Sequence, residues 1–246
     1  MADADLVQRA KGLLDELAES PRFAGSAGEA GARALCRAAL EQAGFECREL
    51  PFEYSQWLGR WGSPIAAAFQ AAVVMIVART AIDEGALLAL VTGAALLTAL
   101  FFVDAQAKRR WIERFPLERA KSMNLEAKRG NPQVWLIAHL DSKSQTVPML
   151  VRIASSVALA AVIAVSAIVL LVSLLGVKNA AGFWPALEIA AVVAAVPSLF
   201  CFVRNESNGA VDNASGVVAV LLAPLSASAP HDLGILITSG EELGLA

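Results

Sequence analysis

The chain alternates between long apolar stretches and mixed, polar ones. Four apolar stretches stand out, running about from Trp61 to Ala78, Gly85 to Val103, Ile153 to Val177 and Ala180 to Val203. Each approaches the roughly 20 mostly apolar residues that an α-helix needs to cross a bilayer at about 1.5 Å per residue. The third, IASSVALAAVIAVSAIVLLVSLLGV, is uninterrupted, whereas the first contains Gln70 and the fourth contains Pro185, Glu188 and Pro197. Glu188 reads either as a carboxylate near the membrane interface or as a functional acid inside it, and its place early in its segment favours the interface. The links are short, Thr80 to Glu84 in the first pair and Lys178-Asn179 in the second. The pattern therefore predicts two transmembrane hairpins.

The remaining pieces carry shorter periods. Leu6, Leu13, Leu14 and Leu17 share a helical face, predicting a helix over Leu6 to Ala18 that Ser20-Pro21 ends. A turn at Gly25-Ser26-Ala27-Gly28 precedes a second helix, Glu29 to Gln42, closed by Gly44, and Phe45 to Tyr54 reads as a strand. Asn124 to Lys128 predicts another strand, followed by a turn at Gly130-Asn131-Pro132. Val134 to Ala138 is a continuous apolar run ending at His139, the pattern of a buried central strand. After the last apolar stretch come a helix over Gly216 to Leu225, a turn at Ala229-Pro230 and an apolar strand, Leu233 to Thr238. Strands separated by helices predict an α/β domain. Its expected organisation is 1–60, 104–152 and 204–246 as three segments of one domain, interrupted by hairpins at 61–103 and 153–203. Each hairpin crosses an even number of times, so all three segments emerge on one side of the membrane.

Composition supports this division. Hydrophobic residues make up 57% of the 246 and charged residues 17%, against roughly 25% charged in a soluble domain, and mean hydropathy is +0.56. The N-terminus, MADADLVQRAKGLLDELAES, has no apolar core and is not a signal peptide. Lys108, Arg109, Arg110, Arg114, Arg119, Lys121, Lys143, Arg152 and Arg204 flank the polar segments, while the hairpin tips offer Arg79 and Lys178. Basic residues mark the cytosolic side, so the polar segments and both termini are expected in the cytosol. A net charge of −3 without a basic run gives no support for nucleic acid as a partner. Cys36, Cys47 and Cys201 are sparse and widely spaced, which predicts unpaired thiols in a reducing compartment.

Three clusters of chemically able residues sit where strands and turns are expected to end. In His139-Leu140-Asp141-Ser142, residues i and i+2 face the same way, so His139 and Asp141 can share a site. In GAVDNASG, Asp212 lies in a glycine-flanked turn that opens a helix. In SGEELG, Glu241 and Glu242 point in different directions, so one can bind a metal while the other holds a water as general base. Each cluster also has a plain structural reading: a histidine at a strand end, an aspartate capping a helix, an exposed acidic loop. Taken together, one His, one Asp and two Glu at successive strand ends form a hard-ligand set suited to zinc.

AHLDS, GAVDNASG and TSGEELGL, in that order, resemble the successive motifs of zinc-dependent aminopeptidases related to bacterial leucyl aminopeptidase. Glutamate carboxypeptidases and the transferrin receptor share that fold. RFAGSAGEAGARAL…AGF also resembles the family's N-terminal segment. The resemblance covers roughly the first 55 and last 45 residues and the stretch from about Leu117 to Gln145, and excludes the hairpins. It implies a partial mixed sheet flanked by helices. It also implies His139, Asp212 and Glu242 as ligands to a pair of zinc ions, with Asp212 bridging them, Glu241 as general base and Asp141 orienting His139. The chain departs from the family in ending four residues after Glu242, before a further Asp and His that the family's site requires. His231 precedes the motif in a Pro-His-Asp turn and reads as a surface residue. The chain is accordingly expected to be a fragment or a decayed copy, inactive without those ligands.

The leading expectation is a membrane-anchored metallopeptidase that removes N-terminal residues from peptides. The alternatives are a non-catalytic membrane scaffold of the same fold and a small transporter using Glu188.

Overall fold

The computed structural model describes residues 3–106, 115–177, 182–225 and 231–245. The chain divides into two units. One comprises Met1–Gly59, Ile112–Ser144 and Val203–Ala246, and the other Arg60–Trp111 and Gln145–Phe202. The helical unit claims more of the sequence around the first two apolar stretches and ahead of the third than hydropathy assigns. An α-helix propagates through flanking polar residues once nucleated, because each added residue brings its own backbone hydrogen bond.

The first unit is mixed α/β. Helix α1 (Asp3–Leu17) and helix α2 (Ala27–Gln42) lead into strand β1 (Glu46–Ser55). Ser26 caps α2, its hydroxyl accepting from the Glu29 amide at 3.3 Å. Strand β2 (Arg119–Arg129) is longer than the alternation around Asn124 suggests, because it pairs along all of β1 in antiparallel register. Strands β3 (Val134–His139) and β4 (Leu233–Thr238) complete a sheet of order β1-β2-β4-β3. β4 runs antiparallel to β2 and parallel to β3, so the sheet is mixed.

Position in the sheet corrects one expectation. The apolar run Val134–Ala138 reads as a central strand, but β3 lies at one edge of the sheet, with Val134, Trp135 and Ile137 exposed. The strand buried on both sides is β4, where Leu233, Ile235 and Ile237 are almost fully inaccessible. An apolar run reports side-chain type and not the number of neighbouring strands. Leu17, Leu40, Leu125, Ile235 and Val217 belong to one core. It packs α1, α2 and the later helix Ser215–Leu222 against the sheet.

The second unit is helical. Helix α3 (Trp57–Asp83), helix α4 (Ala86–Gln106) and helix α5 (Met149–Leu174) contain segments long and apolar enough to cross a membrane. Helix α6 (Trp184–Leu199) has 16 residues, about 24 Å at the usual rise and short of a full span. The apolar stretch here runs on to Val203, but the helix stops at Leu199, two residues after Pro197. Expected features at Lys108, Arg109, Arg110, Arg114, Lys178, Asn179 and Ala229-Pro230 fall outside the described residues. Glu188 pairs with Arg79 at 3.1 Å, where α3 ends and α6 begins.

Candidate metal site

Parallel pairing of β3 with β4 places His139 opposite Thr238 and brings their carboxyl ends side by side. Sheets of this kind offer their ligand sites along that edge. Beyond β3 the chain stays tied to β4, the Leu140 amide donating to the Thr238 carbonyl at 2.8 Å. Asp141 follows, 1% exposed. Beyond β4, Gly240 takes a left-handed conformation, φ 82°, and starts a short 3₁₀ turn over Glu241–Leu243. A side chain at Gly240 would be strained there and would strike Leu245. The buried Asp141 carboxylate accepts the Glu241 and Glu242 amides at 3.2 and 3.1 Å, so it caps this turn.

Asp212 arrives differently from the expectation of three strand ends. It follows no strand of the four-stranded sheet and sits in the turn ahead of helix α7 (Ser215–Leu222). The turn starts at Gly209, φ 57°, where a Cβ would lie 2.5 Å from the Ser142 Cβ. The Asp212–Asn213 peptide is cis. Asp212 is not the helix cap that its position also suggests. The residue ahead of α7 is Ala214, with no side-chain cap bond, and the Asp212 carboxylate turns to His139.

The three elements meet at the His139 imidazole. Its Nδ1 lies 3.1 Å from the Asp141 carbonyl and 3.7 Å from the Asp141 carboxylate. A carbonyl only accepts, so Nδ1 carries the proton and Nε2 faces outward. Nε2 lies 3.2 Å from the Asp212 carboxylate and 3.7 Å from that of Glu241. Asp141 therefore orients His139 mainly through its backbone, while its side chain organises the neighbouring turn. The pKa of His139 is raised to about 9, first by the Asp141 carboxylate and further by the charge of Glu241, against the opposing effect of burial.

Glu242 does not join this group. Its carboxylate pairs with Lys143 at 3.1 Å, and the Lys143 ammonium also donates to the Glu242 carbonyl. The adjacent glutamates thus point in different directions, Glu241 toward His139 and Glu242 toward Lys143. Among the described residues, no three His, Cys, Asp or Glu side chains already form a metal-binding group. The carboxylates around Nε2 stand at ion-pair range from a ring that would itself have to lose a proton. His231 is an exposed residue paired with Asp232 at 3.0 Å. Cys36, Cys47 and Cys201 are free thiols, and burial pushes Cys36 up to about 12.

Sequence reading missed the group that holds these loops together. Arg22 is fully buried. Its Nε donates to the Leu140 carbonyl at 2.9 Å and its Nη2 to Gly209 at 3.1 Å, while Nη1 donates to Leu17 and Asn208. Its backbone amide donates to Ser142 Oγ at 3.0 Å, and that hydroxyl donates to the Ser207 carbonyl at 2.8 Å. One guanidinium therefore joins the loop beyond β3 to the loop that carries Asp212. Its partners are main-chain carbonyls, which leave no residue-type signature. The only sequence signal is an arginine beside Phe23 in an otherwise small-residue turn.

No protein-family model matches this chain, and neither the curated proteins nor the solved structures yield a match.

Proposed function

We propose that this chain is a membrane-anchored, zinc-dependent aminopeptidase-like protein whose α/β unit handles the amino end of a peptide. One observation carries the reading. An imidazole nitrogen at the carboxyl edge of a parallel strand pair faces the carboxylates of Asp212 and Glu241, brought from separate loops. The carboxylates that hold a proton on this ring also suit a divalent cation in its place, and the mixed nitrogen and oxygen set fits zinc. His139 and Asp212 would hold one ion, and Asp212 with Glu242, on giving up Lys143, a second. Zinc, when bound, supplies Lewis acidity for polarising a peptide carbonyl and acidifying a water.

The chain's own residues supply the rest. Asp141 fixes the ring through its carbonyl and the 3₁₀ turn through its carboxylate. Glu241, with a side chain about half exposed, is placed to take a proton from a water and return it to the leaving amine. The helical unit serves as the anchor. The polar segments belong to one unit although the stretch around α5 and α6 interrupts them. Such a stretch must leave a membrane on the side it entered, which supports α6 as the return limb of a second hairpin. The basic residues beside the polar segments favour the cytosolic side for that unit.

A non-catalytic scaffold is the second reading, favoured by the Lys143–Glu242 pair, which engages an expected ligand. Zinc stoichiometry decides between them. The dialysed full chain in detergent is expected to bind zinc tightly, up to two ions, with binding lost in His139→Ala and Asp212→Asn and retained in Glu241→Gln. Absence of zinc binding would leave the scaffold reading.

A further inference from the structure

The helical unit contains an arginine that the proposed chemistry does not use. Arg152 lies in the first turn of α5, and its Nε is buried without a hydrogen-bond partner among the described residues. It lines a cavity of about 420 Å³ together with Ser63 and Gln70 from α3 and Ser156 from α5. Apolar side chains, Ala67 and Leu159 among them, form most of the rest of the wall, and no acidic residue among the described ones lines it. The cavity occupies the end of the helical unit where α3 and α5 begin and α6 finishes. No side chain caps the start of α5, so the amides of its first turn add to the positive potential.

These features are costly unless an anion completes them. Arg152 is half-buried, its Nε–H inaccessible and the rest of its planar fork free to match a phosphate in two parallel bonds. Hydroxyls and a carboxamide around it can serve the remaining phosphate oxygens. The apolar walls suit an acyl chain, which a free anion would not supply. Absence of an acid on the wall disfavours the cationic half of a zwitterionic headgroup. Basic pockets between membrane helices bind anionic lipids on this principle. We propose that this cavity binds the headgroup phosphate of an anionic phospholipid, with Arg152 pairing to the phosphodiester. The inference rests on the helices being membrane-spanning and is independent of zinc.

The full chain is first tested for retention in membranes after alkaline carbonate extraction, then analysed in detergent by native mass spectrometry. Phosphatidylglycerol, phosphatidylcholine and inorganic phosphate are offered at equal concentration. The expected result is a preference of about tenfold for phosphatidylglycerol over phosphatidylcholine, the scale of one charge-assisted contact. That preference should disappear in Arg152→Gln and survive in part in Arg152→Lys. Equal binding of the two lipids by the wild-type chain overturns the proposal without recourse to a variant. Competition by inorganic phosphate at the same concentration overturns the lipid as the source of the anion. Release by carbonate overturns the membrane reading and this proposal together, whereas retention without lipid preference overturns the cavity's role alone.

Discussion

The two units bury side chains by different rules. In the α/β unit, Leu125, Ile235 and Tyr54 are inaccessible, and polar groups find partners far along the chain, as Arg22 does at Leu140 and Gly209. In the helical unit, large apolar residues such as Leu87, Phe101 and Ile189 remain exposed. Hydroxyls there can turn back to their own helix, as Ser166 does to Val162 and Ser173 to Val169, each at 2.8 Å. Water drives the first arrangement, because burial of apolar surface needs a closed core. The second arrangement suits lipid, which demands local satisfaction of polar groups and asks little of outward apolar ones. The proposed catalytic residues lie in the first unit, where loops from distant segments can be held by a shared buried group.

The contrast breaks most readily in the cores. Ile235→Ala in β4 is expected to cost about 3–4 kcal/mol through lost burial and an unfilled cavity. Leu87→Ala on an exposed face of α4 should stay within about 0.5 kcal/mol. Chemical denaturation of the full chain in detergent measures both, and similar losses would show that the helical unit is packed like the other. Next in size, Arg22→Met should cost about 3 kcal/mol, because it strips buried carbonyls of their donor. An unchanged unfolding midpoint for this variant would deny Arg22 its part in joining the loops.

Smaller effects sharpen the comparison. Ser155 on α5 reaches across to α6, its hydroxyl donating to the Ala194 carbonyl at 2.6 Å and lying 2.7 Å from Ser198 Oγ. Ser155→Ala should lose about 0.5–1.5 kcal/mol by the same denaturation measurement, the range of interhelical hydrogen bonds in membranes. In the α/β unit, Glu29 is buried against Ser122 and the Gly25 amide, and burial raises its pKa from 4.5. The folded protein therefore holds this proton more tightly than the unfolded chain does. The stabilising contribution is complete below the ordinary value of 4.5 and fades as pH rises through it to the folded value. Glu29→Gln cannot ionise and should flatten that decline, read as the difference in unfolding midpoint between about pH 4 and about pH 7. Parallel pH profiles for the two proteins would contradict it.

Much of the architecture was legible because it depends on local periodicity. Strand β4 runs from Leu233 to Thr238, as its apolar run indicates, and α2 ends at Gln42, ahead of the glycine that closes it. The apolar stretches mark α3, α4 and α5 to within a few residues. Periodicity says less about neighbours. β3 has the composition of a central strand and an edge position, and α6 stops short of its apolar stretch. Around the site, HLDS, GAVDNASG and SGEEL could be marked as chemically able from residue type alone. Which carboxylate would face His139 could not be read in the same way. That depends on the Asp141 cap of the 3₁₀ turn and on Lys143, residues that bonding geometry brings into play.

What the sequence determined by itself was the set of elements and the division into polar and apolar segments, since helices, strands and hydropathy follow from residues a few positions apart. The tertiary structure decided the strand order, the meeting of Asp212 and Glu241 at His139, the diversion of Glu242 to Lys143 and the burial of Arg22. Those outcomes rest on hydrogen bonds and contacts between residues far apart in the chain, such as Glu242 with Asp141 or Gly209 with Arg22. No local pattern encodes such a pair. Only packing the segments around one core brings their groups within bonding distance.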